Sequence, residues 1–237
     1  MKIDVVLSPP EIDLLPQRDL KNTTAVVFDV LRATSTIVTA LAHGVAEIFP
    51  VRTIEEAQSL KARMPGAKLG GERHGDKIDG FDFGNSPLEY REIANAQIIT
   101  TTTNGTIALR ACEHAREVIA GALLNLGAIA KHVLNTEPAE LLLVCAGTFR
   151  DLAFEDVLAS GMLCSRFPKG DLTDSAQTAL AVFEQHKRDL LGALRSSQNG
   201  RVLISKNRDD EVRWCARVST FDVLGVLQNG AIRPLRT

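Results

Sequence analysis

The sequence has little cysteine and no long hydrophobic run. Its four cysteines, Cys112, Cys145, Cys164 and Cys215, show neither C-x-x-C spacing nor nearby histidines, so zinc binding is not indicated and reduced thiols are expected. The longest apolar run, residues 141–146, has the length of a strand, well short of the roughly 20 residues that cross a bilayer. The first residues lack the features of a signal peptide. We therefore expect a cytoplasmic protein without a membrane partner.

The sequence also lacks an excess of either charge. Its 27 Lys and Arg residues nearly balance 29 Asp and Glu residues, and the basic residues are scattered, so nucleic acid is not an expected partner. The motifs G-x-x-x-x-G-K-[ST], G-x-G-x-x-G, G-x-S-x-G and H-E-x-x-H are absent. Their absence argues against nucleotide hydrolysis and serine esterase chemistry.

What is present is the composition of a globular protein, with 45% hydrophobic and 24% charged residues, which allows a sizeable core. Short apolar runs rich in Val and Ile alternate with segments of helical period. This alternation predicts an α/β fold of three layers, α/β/α, with a mostly parallel or mixed sheet. We expect one structural unit over residues 1–237, with two lobes, about 1–120 and 121–237, as an open alternative.

The pattern assigns elements along most of the chain. Strands are expected at residues 3–7, 25–29, 47–51, 68–70, 97–101, 117–119 and 141–146. Capping residues and helical periodicity predict four helices. They are expected at residues 34–43, from a capping box that begins at Thr53 to about residue 65, at 151–166 and at 171–196. Residues 221–233 contain an Asn229-Gly230 turn between two apolar runs, which predicts a C-terminal hairpin at the sheet edge.

The first candidate site follows the strand at residues 25–29. Asp29 stands at the strand tip, where ligands bind in parallel α/β sheets, and could hold a metal ion. Arg32 offers a planar fork for a phosphate, carboxylate or sulfonate, while N–H groups near Thr34 and Ser35 favour an anion at the helix start. The alternative is that Asp29 caps the helix and Arg32 makes a surface ion pair.

A second candidate site follows the strand at residues 97–101. Gly105 allows close approach of the backbone, and the neighbouring hydroxyl and N–H groups supply donors without net charge, so this turn could cradle an anion. The alternative is an ordinary helix cap by Asn104 or Thr103. Both interpretations stay open on the sequence alone.

A third candidate site follows the strand at residues 141–146, where Gly147 precedes the acidic pair Glu155 and Asp156. Adjacent carboxylates point to different sides of a helix. We therefore expect one to bind a metal ion directly and the other to act through a water molecule or by supporting a residue that binds the ion. The alternative is that both acids only complement the helix macrodipole.

An irregular segment, residues 70–87, is rich in glycine and long for a connection. Its polar side chains include Glu72, Arg73, Asp82 and Asn85. One interpretation is a lid that brings these side chains to the site and bends at its glycines. The other is a surface loop that Phe81 and Phe83 anchor to the core.

Five blocks occur in order along the chain: DVLRATS at residues 29–35, GER at 71–73, GFDFGNSP at 80–87, TNGT at 103–106, and CAG at 145–147 with the ED pair at 155–156. In these blocks the sequence resembles the 2-phosphosulfolactate phosphatase family. The resemblance implies Mg²⁺-dependent hydrolysis of a small molecule, 2-phospho-3-sulfolactate or a related phosphorylated 2-hydroxy acid, as a step toward coenzyme M. Residues 148–151 depart from the more basic, glycine-containing loop expected in the family.

The residues and the resemblance together give a set of expected roles. The expected catalytic residues are Asp29, Arg32 and Glu72, with Glu72 as the candidate base. The expected substrate-binding residues are Ala33, Thr34, Ser35, Arg73, Asn85, Asn104, Gly105, Thr106 and Gly147. The expected Mg²⁺ ligands are Asp29, Glu155 and Asp156. For the assembly of the protein, a homodimer is one expectation.

Several alternatives stay open at this point. The chain could be a non-catalytic sensor of a phosphorylated metabolite, or a different Mg²⁺-dependent phosphoryl-transfer enzyme on the same scaffold. Attack on phosphorus could come from water or from a carboxylate. Leu31 stands two residues after Asp29, where haloacid-dehalogenase-type phosphatases need a second aspartate, and this argues against Asp29 as the nucleophile.

Overall fold

The apolar runs of the sequence form a large mixed sheet in the computed structural model, which describes residues 1–235. The strands are β1 (Lys2–Val6), β2 (Thr23–Phe28), β3 (Glu47–Pro50), β4 (Lys68–Arg73), β5 (Asp76–Lys77), β6 (Gln97–Thr101), β7 (Glu117–Gly121), β8 (Glu140–Cys145), β9 (Asp171–Leu172), β10 (Leu224–Gln228) and β11 (Ala231–Leu235). Every strand expected from an apolar run is present, with bounds that differ by three residues or fewer.

Helices follow most of the strands. They are α1 (Pro9–Ile12), α2 (Ala33–Ala42), α3 (Ile54–Arg63), α4 (Gly105–Ala111), α5 (Leu126–Thr136), α6 (Phe154–Cys164), α7 (Asp174–His186), α8 (Leu190–Ser196), α9 (Gln198–Ser205) and α10 (Asp209–Cys215). The long helix expected at residues 171–196 is divided into β9, α7 and α8. Thr173 and Asp189 start new helices there, because their side chains accept backbone N–H groups at 3.3 and 2.8 Å as N-caps do. Within residues 1–235, no helix has the length and apolar character needed to span a membrane.

The sheet contains two parallel groups of strands that run in opposite directions. Its strand order is β5-β4-β6-β3-β11-β10-β7-β2-β8-β1-β9. The strands β4, β6 and β3 are parallel to one another, and so are β7, β2, β8, β1 and β9. The β10–β11 hairpin joins the two groups by antiparallel pairing with β7 and β3. The expected three-layer α/β fold with a mixed sheet is confirmed.

The C-terminal hairpin forms as expected, but its expected place at the sheet edge is wrong. It lies in the interior of the sheet, between β3 and β7. Successive residues of β10, including Val226 and Leu227, are buried, which is the burial of a strand covered on both faces. Asn229 and Gly230 both have positive φ, 51° and 79°, as a type I′ hairpin turn requires.

The carboxyl ends of the two groups converge because the sheet curls. Four strands, β3, β11, β10 and β7, separate β6 from β2, so the axes of β6 and β2 would lie roughly 24 Å apart in a flat sheet, at about 4.8 Å per step. Because β6 and β2 run in opposite directions, their carboxyl ends would also lie at opposite edges of such a sheet. Yet Gly105, after β6, is so close to Asp29, after β2, that a Cβ on Gly105 would lie 2.5 Å from Asp29 Oδ2. A twist of about 20–25° per strand turns the strands by roughly 100–125° over five steps.

Both faces of the sheet are covered, which holds the strand ends in place. Along β8, Leu141 and Leu143 pack on one face of the sheet while Leu142 and Val144 pack on the other, because successive side chains of a strand alternate. All four side chains are fully buried, and each contributes roughly 1.5–3 kcal/mol to stability. The segment that begins at Gly147 therefore starts from a rigid strand.

Candidate active site

A cleft lies where the segments after β2, β4, β6 and β8 meet, with α9 along one side. It encloses about 700 Å³, counting its open mouth. The expected site residues that line it are Asp29, Arg32, Glu72, Asn85, Asn104 and Gly147. Polar residues from strand tips that are distant in the sequence are thus brought to one place, where α/β sheets bind their ligands.

Asp29 lies at the end of β2 with its carboxylate at the cleft. Its Oδ1 accepts the Ala33 N–H at 3.0 Å, so Asp29 caps α2 and faces the cleft at the same time. Thr34 Oγ1 accepts the Asp29 N–H at 2.9 Å. The residue is partly exposed on its cleft side, but protein atoms surround the rest. This burial, with repulsion from Glu72 and Glu155, raises the pKa of Asp29 to about 7, since both effects disfavour the ionised form.

The residues that follow Arg32 support the strand end from behind the cleft. Thr34 and Ser35 are fully buried, and their hydroxyls donate to the Asp29 and Val30 carbonyls at 2.9 and 2.8 Å. Ala33 is also buried, and its N–H is engaged by Asp29. Direct substrate binding by these three residues stays a prediction.

Arg32 lines the cleft with its guanidinium in a buried ion pair. Its Nη1 donates to Glu211 Oε2 on α10, and its Nη2 donates to the Gly75 carbonyl at 2.9 Å. The side chains of Arg32 and Glu211 are only 4% and 8% exposed, so the pair is not the surface ion pair considered from the sequence. The Leu31–Arg32 peptide bond is cis. These two contacts use two of the five N–H donors of a guanidinium.

Glu72 joins two loops at the cleft. Its Oε1 accepts the Thr103 N–H at 2.7 Å, and its Oε2 accepts the Gly75 N–H at 2.6 Å. Both carboxylate oxygens are therefore engaged by backbone groups, and Glu72 holds the β4–β5 turn against the turn that follows β6. Its expected role as a general base stays a prediction.

The rest of the irregular segment divides between the cleft and the core. Asn85 lines the cleft. Arg73 lies outside the lining and donates to Thr101 Oγ1 at 2.8 Å, while Asp82 accepts a backbone N–H of β4 at 2.8 Å. Phe81 is buried, which supports the anchoring of this segment to the core. Its movement as a lid stays a prediction.

Asn104 connects the turn after β6 with the loop after β8. Its Nδ2 donates to the Ala146 and Phe149 carbonyls at 3.0 and 3.1 Å, and its Oδ1 accepts the Phe149 N–H at 3.0 Å. Gly105 lets this turn approach Asp29, because the added Cβ of any other residue would meet the Asp29 carboxylate. The observed contacts position the neighbouring loops, and anion binding by this turn stays a prediction.

The acidic pair lies behind the loop that follows β8. Asp156 Oδ1 accepts the Val30 N–H at 2.8 Å and Oδ2 the Gly147 N–H at 3.1 Å, so this carboxylate ties the ends of β2 and β8 together. Glu155 has different partners, and its Oε1 accepts from Asn199 Nδ2 at 2.7 Å. Burial raises the pKa of both carboxyls, and repulsion from neighbouring carboxylates adds to the effect for Asp156.

Two buried side-chain oxygens within residues 1–235 have no hydrogen-bond partner, Thr103 Oγ1 and Glu155 Oε2. Thr103 lines the cleft. Its neighbour Thr106 is fully buried and instead exchanges hydrogen bonds of 3.1 Å with Thr102. An unpaired buried polar atom costs about 1–3 kcal/mol, and a ligand, an ion or a water molecule bound in the cleft would satisfy such atoms.

The acidic groups near the cleft include two carboxylates that could contribute to a divalent-cation site. Asp29, Glu155 and Asp156 are close enough to repel one another, and a cation would relieve this repulsion. Over the described residues, no group of three or more His, Cys, Asp or Glu side chains is arranged to hold a metal ion. Mg²⁺, however, often binds through one or two carboxylates and completes its shell with water and substrate phosphate. Asp29 and the unpaired Glu155 Oε2 suit such a site, while Asp156 suits a supporting position.

No sequence motif marks the contributions of α9 and α10. Asn199 on α9 lines the cleft and binds Glu155, and Glu211 on α10 pairs with Arg32. The one local signal is Ser197, whose hydroxyl accepts the Gly200 N–H at 3.1 Å and caps α9. A cap of this kind predicts a helix start, but not what the helix contacts.

The fold and the cleft are typical of an α/β enzyme that binds its ligand at converging strand ends, here beside buried carboxylates. A family model described as 2-phosphosulpholactate phosphatase matches residues 11–230. A probable 2-phosphosulfolactate phosphatase of Thermotoga petrophila is 40% identical over 230 residues, which cover 96% of each chain. One of Clostridium acetobutylicum is 36% identical over 239 residues, 98% of this chain and 100% of the relative. The chain belongs to the 2-phosphosulpholactate phosphatase family, and so to the phosphoric monoester hydrolases.

Proposed function

We propose that the chain hydrolyses 2-phospho-3-sulfolactate, or a related phosphorylated 2-hydroxy acid, to the hydroxy acid and phosphate, with Mg²⁺ as cofactor. The names of its relatives support the reaction. The structural observation that carries the proposal is the unpaired Glu155 Oε2 near Asp29, behind a cleft lined by Arg32 and Thr103. We further propose that the reaction takes place in the cytoplasm as a step toward coenzyme M.

Electrostatics favours a cation between substrate and protein. The substrate combines a phosphate, a carboxylate and a sulfonate, whereas the cleft region holds the carboxyls of Asp29, Glu72 and Glu155. Two like unit charges about 4 Å apart repel by about 4 kcal/mol at an effective dielectric constant of about 20. A divalent cation between the anionic substrate and these carboxylates would offset this repulsion, in addition to the charge of Arg32.

The residues that would hold Mg²⁺ are Asp29 and Glu155. When bound there, the ion would polarise a phosphoryl oxygen and neutralise charge that develops on it. Asp156 fixes the backbone at Val30 and Gly147 on either side of the site. Asp29 itself is held by the Ala33 N–H, so its carboxylate is oriented before any ligand binds.

The remaining lining groups suit the orientation of a phosphate. Arg32 keeps guanidinium N–H groups beyond those bound to Glu211 and Gly75, and Thr103 has a free hydroxyl. Donors fixed in advance around a transferring phosphoryl group lower the barrier, because they need no reorganisation as charge develops. In hydrolysis the attacking oxygen bonds to phosphorus. The bond between phosphorus and the ester oxygen on C2 breaks, and the leaving alkoxide receives a proton. An acyl-phosphate trapped by acid quench would identify a carboxylate as the attacking group instead of water.

A phosphate-release assay over a panel of 2-phospho-acids, with and without EDTA, tests the proposal. We expect release from 2-phospho-3-sulfolactate or a close analogue, loss of release with EDTA, and recovery with added Mg²⁺. Release that is insensitive to EDTA would contradict the proposed cofactor. Binding of the esters without release would favour a sensor, and transfer of phosphate to another acceptor would favour a phosphotransferase.

Thr103→Val is expected to lower kcat/KM by about 10–100-fold, because a hydrogen bond to a charged group contributes about 1.5–3 kcal/mol. Valine keeps the volume of threonine and leaves the Thr103 N–H bond to Glu72 intact, so the melting temperature should not fall. Thr103→Ser keeps the hydroxyl and serves as the matched control, with activity near that of the wild type. Equal activity of the valine variant and the wild type in the phosphate-release assay would remove this hydroxyl from the site.

A further inference from the structure

Glu155 is held by one oxygen only. It lies in the first turn of α6 and is 1% exposed. Its Oε1 accepts from Asn199 Nδ2 at 2.7 Å, while its Oε2 has no hydrogen-bond partner. A buried carboxylate with one free oxygen is costly, so the arrangement favours a cationic ligand at that oxygen.

Asn199 is oriented by two acceptors. Its Nδ2 donates to Glu155 Oε1 and to Thr148 Oγ1, both at 2.7 Å, which uses both hydrogens of the amide nitrogen. The opposite amide orientation would place Asn199 Oδ1 against the Glu155 carboxylate, and two acceptors in contact repel. The carboxamide is therefore fixed with its donors toward Glu155.

Helix α9 holds Asn199 in this place, because it is fastened at both ends. At its start, Ser197 caps the helix and is 3% exposed. Past its end, Lys206 Nζ binds Asp76 Oδ2 at 2.8 Å and Arg208 Nη1 donates to the Gly75 carbonyl at 2.8 Å. The helix thus runs from the loop after β8 to the β4–β5 turn, along one side of the cleft.

We infer that Asn199 is a positioning residue that fixes the Glu155 carboxylate, occupying Oε1 and leaving Oε2 available to a divalent cation. This inference rests on the proposed Mg²⁺-dependent function and assigns a role to a residue outside the family's sequence blocks. Residues that hydrogen-bond to a metal ligand tune its affinity, and their loss weakens metal binding by about 10–100-fold.

A purely structural role would depend on the space that the Asn199 side chain fills, whereas positioning depends on its N–H donors. Asn199→Leu keeps the branched shape and the number of side-chain heavy atoms but removes the donors, while Asn199→Ala removes both. Positioning predicts that the two variants are impaired to a similar degree. A packing role predicts that leucine is tolerated and alanine is not.

The test is calorimetric titration of the substrate-free protein with Mg²⁺ alone. We expect Asn199→Leu and Asn199→Ala to bind Mg²⁺ about 10–100-fold more weakly than the wild type. The phosphate-release assay should then require a similarly higher Mg²⁺ concentration for half-maximal rate. Ser205→Ala, which removes an exposed hydroxyl from the same helix, is the control and should bind as the wild type does.

Two results would overturn the inference, and they differ in what else they affect. Mg²⁺ binding by Asn199→Leu with wild-type affinity would overturn the positioning role alone. Failure of the wild type to bind Mg²⁺ would overturn the proposed cofactor together with this inference. Should the alanine variant not fold, the leucine variant carries the comparison.

Discussion

Replacement of Asp29 by asparagine is expected to lower turnover by orders of magnitude, on the order of 1000-fold, and to leave the fold intact. Asp29 Oδ1 accepts the Ala33 N–H at 3.0 Å. Asparagine has nearly the same volume as aspartate, and its side-chain oxygen can accept the same N–H. It removes the negative charge that would hold the cation against the substrate. Loss of one preorganised electrostatic group at a reacting centre typically costs about 100–1000-fold in kcat. Initial rates of phosphate release at saturating Mg²⁺ measure the effect.

Asp189→Asn is the matched control for this replacement. Asp189 is exposed and caps α8 by accepting the Gly192 N–H at 2.8 Å, and asparagine caps helices about as well as aspartate. Its activity should equal that of the wild type. Near-normal turnover of Asp29→Asn would remove Asp29 from the mechanism.

The same replacement is expected to stabilise the protein in EDTA at pH 8. The pKa of Asp29 is raised in the folded state from 3.8 to about 7, so between these values the folded state binds more protons than the unfolded state. The free energy of unfolding therefore falls as pH rises through this window, and the cost is complete above pH 7. Asparagine removes this cost, which is on the order of 2–4 kcal/mol. Melting temperatures of both proteins at pH 5 and pH 8 test this, and an equal difference at both pH values would contradict it.

The parts of the fold that local sequence determines could be predicted. The runs that form β2, β6 and β8 are rich in Val, Ile and Leu, and the capping threonine of α3 is a local signal. Polar residues at strand tips, such as Asp29, Asn104 and Gly147, could be named as site candidates because parallel sheets collect ligands there. The structure brings these three into one cleft.

Long-range pairing could not be predicted in the same way. The insertion of the β10–β11 hairpin between β3 and β7 depends on contacts between distant segments. Arg32 and Glu211 are 179 residues apart in the sequence, and Glu155 and Asn199 are 44 apart. Propensity and periodicity describe neighbours along the chain, so they do not identify the partner that a side chain of α9 or α10 meets across the cleft.

Replacement of Glu211 by alanine is expected to destabilise the protein by about 3–5 kcal/mol, because it leaves the Arg32 guanidinium charged and unpaired in the interior. The side chains of the pair are 4% and 8% exposed, so water replaces the lost partner poorly. For a chain of this size the melting temperature should fall by roughly 6–20 °C. Glu184→Ala is the control, since the Glu184–Lys187 pair is 48% and 46% exposed and its loss should cost less than about 1 kcal/mol.

A double replacement separates the stability of this pair from its function. Arg32→Met with Glu211→Leu removes both charges, and buried ion pairs exchanged for apolar residues of similar volume are often neutral or stabilising by about 1–4 kcal/mol. The double variant should thus recover the melting temperature lost in Glu211→Ala, yet release no phosphate, because no guanidinium faces the cleft. Recovery of stability without activity would show that the fold tolerates loss of the pair and that the reaction requires Arg32. A double variant as unstable as Glu211→Ala would show instead that the pair itself stabilises the fold. Phosphate release by a stable double variant would contradict the proposed role of Arg32 in the reaction.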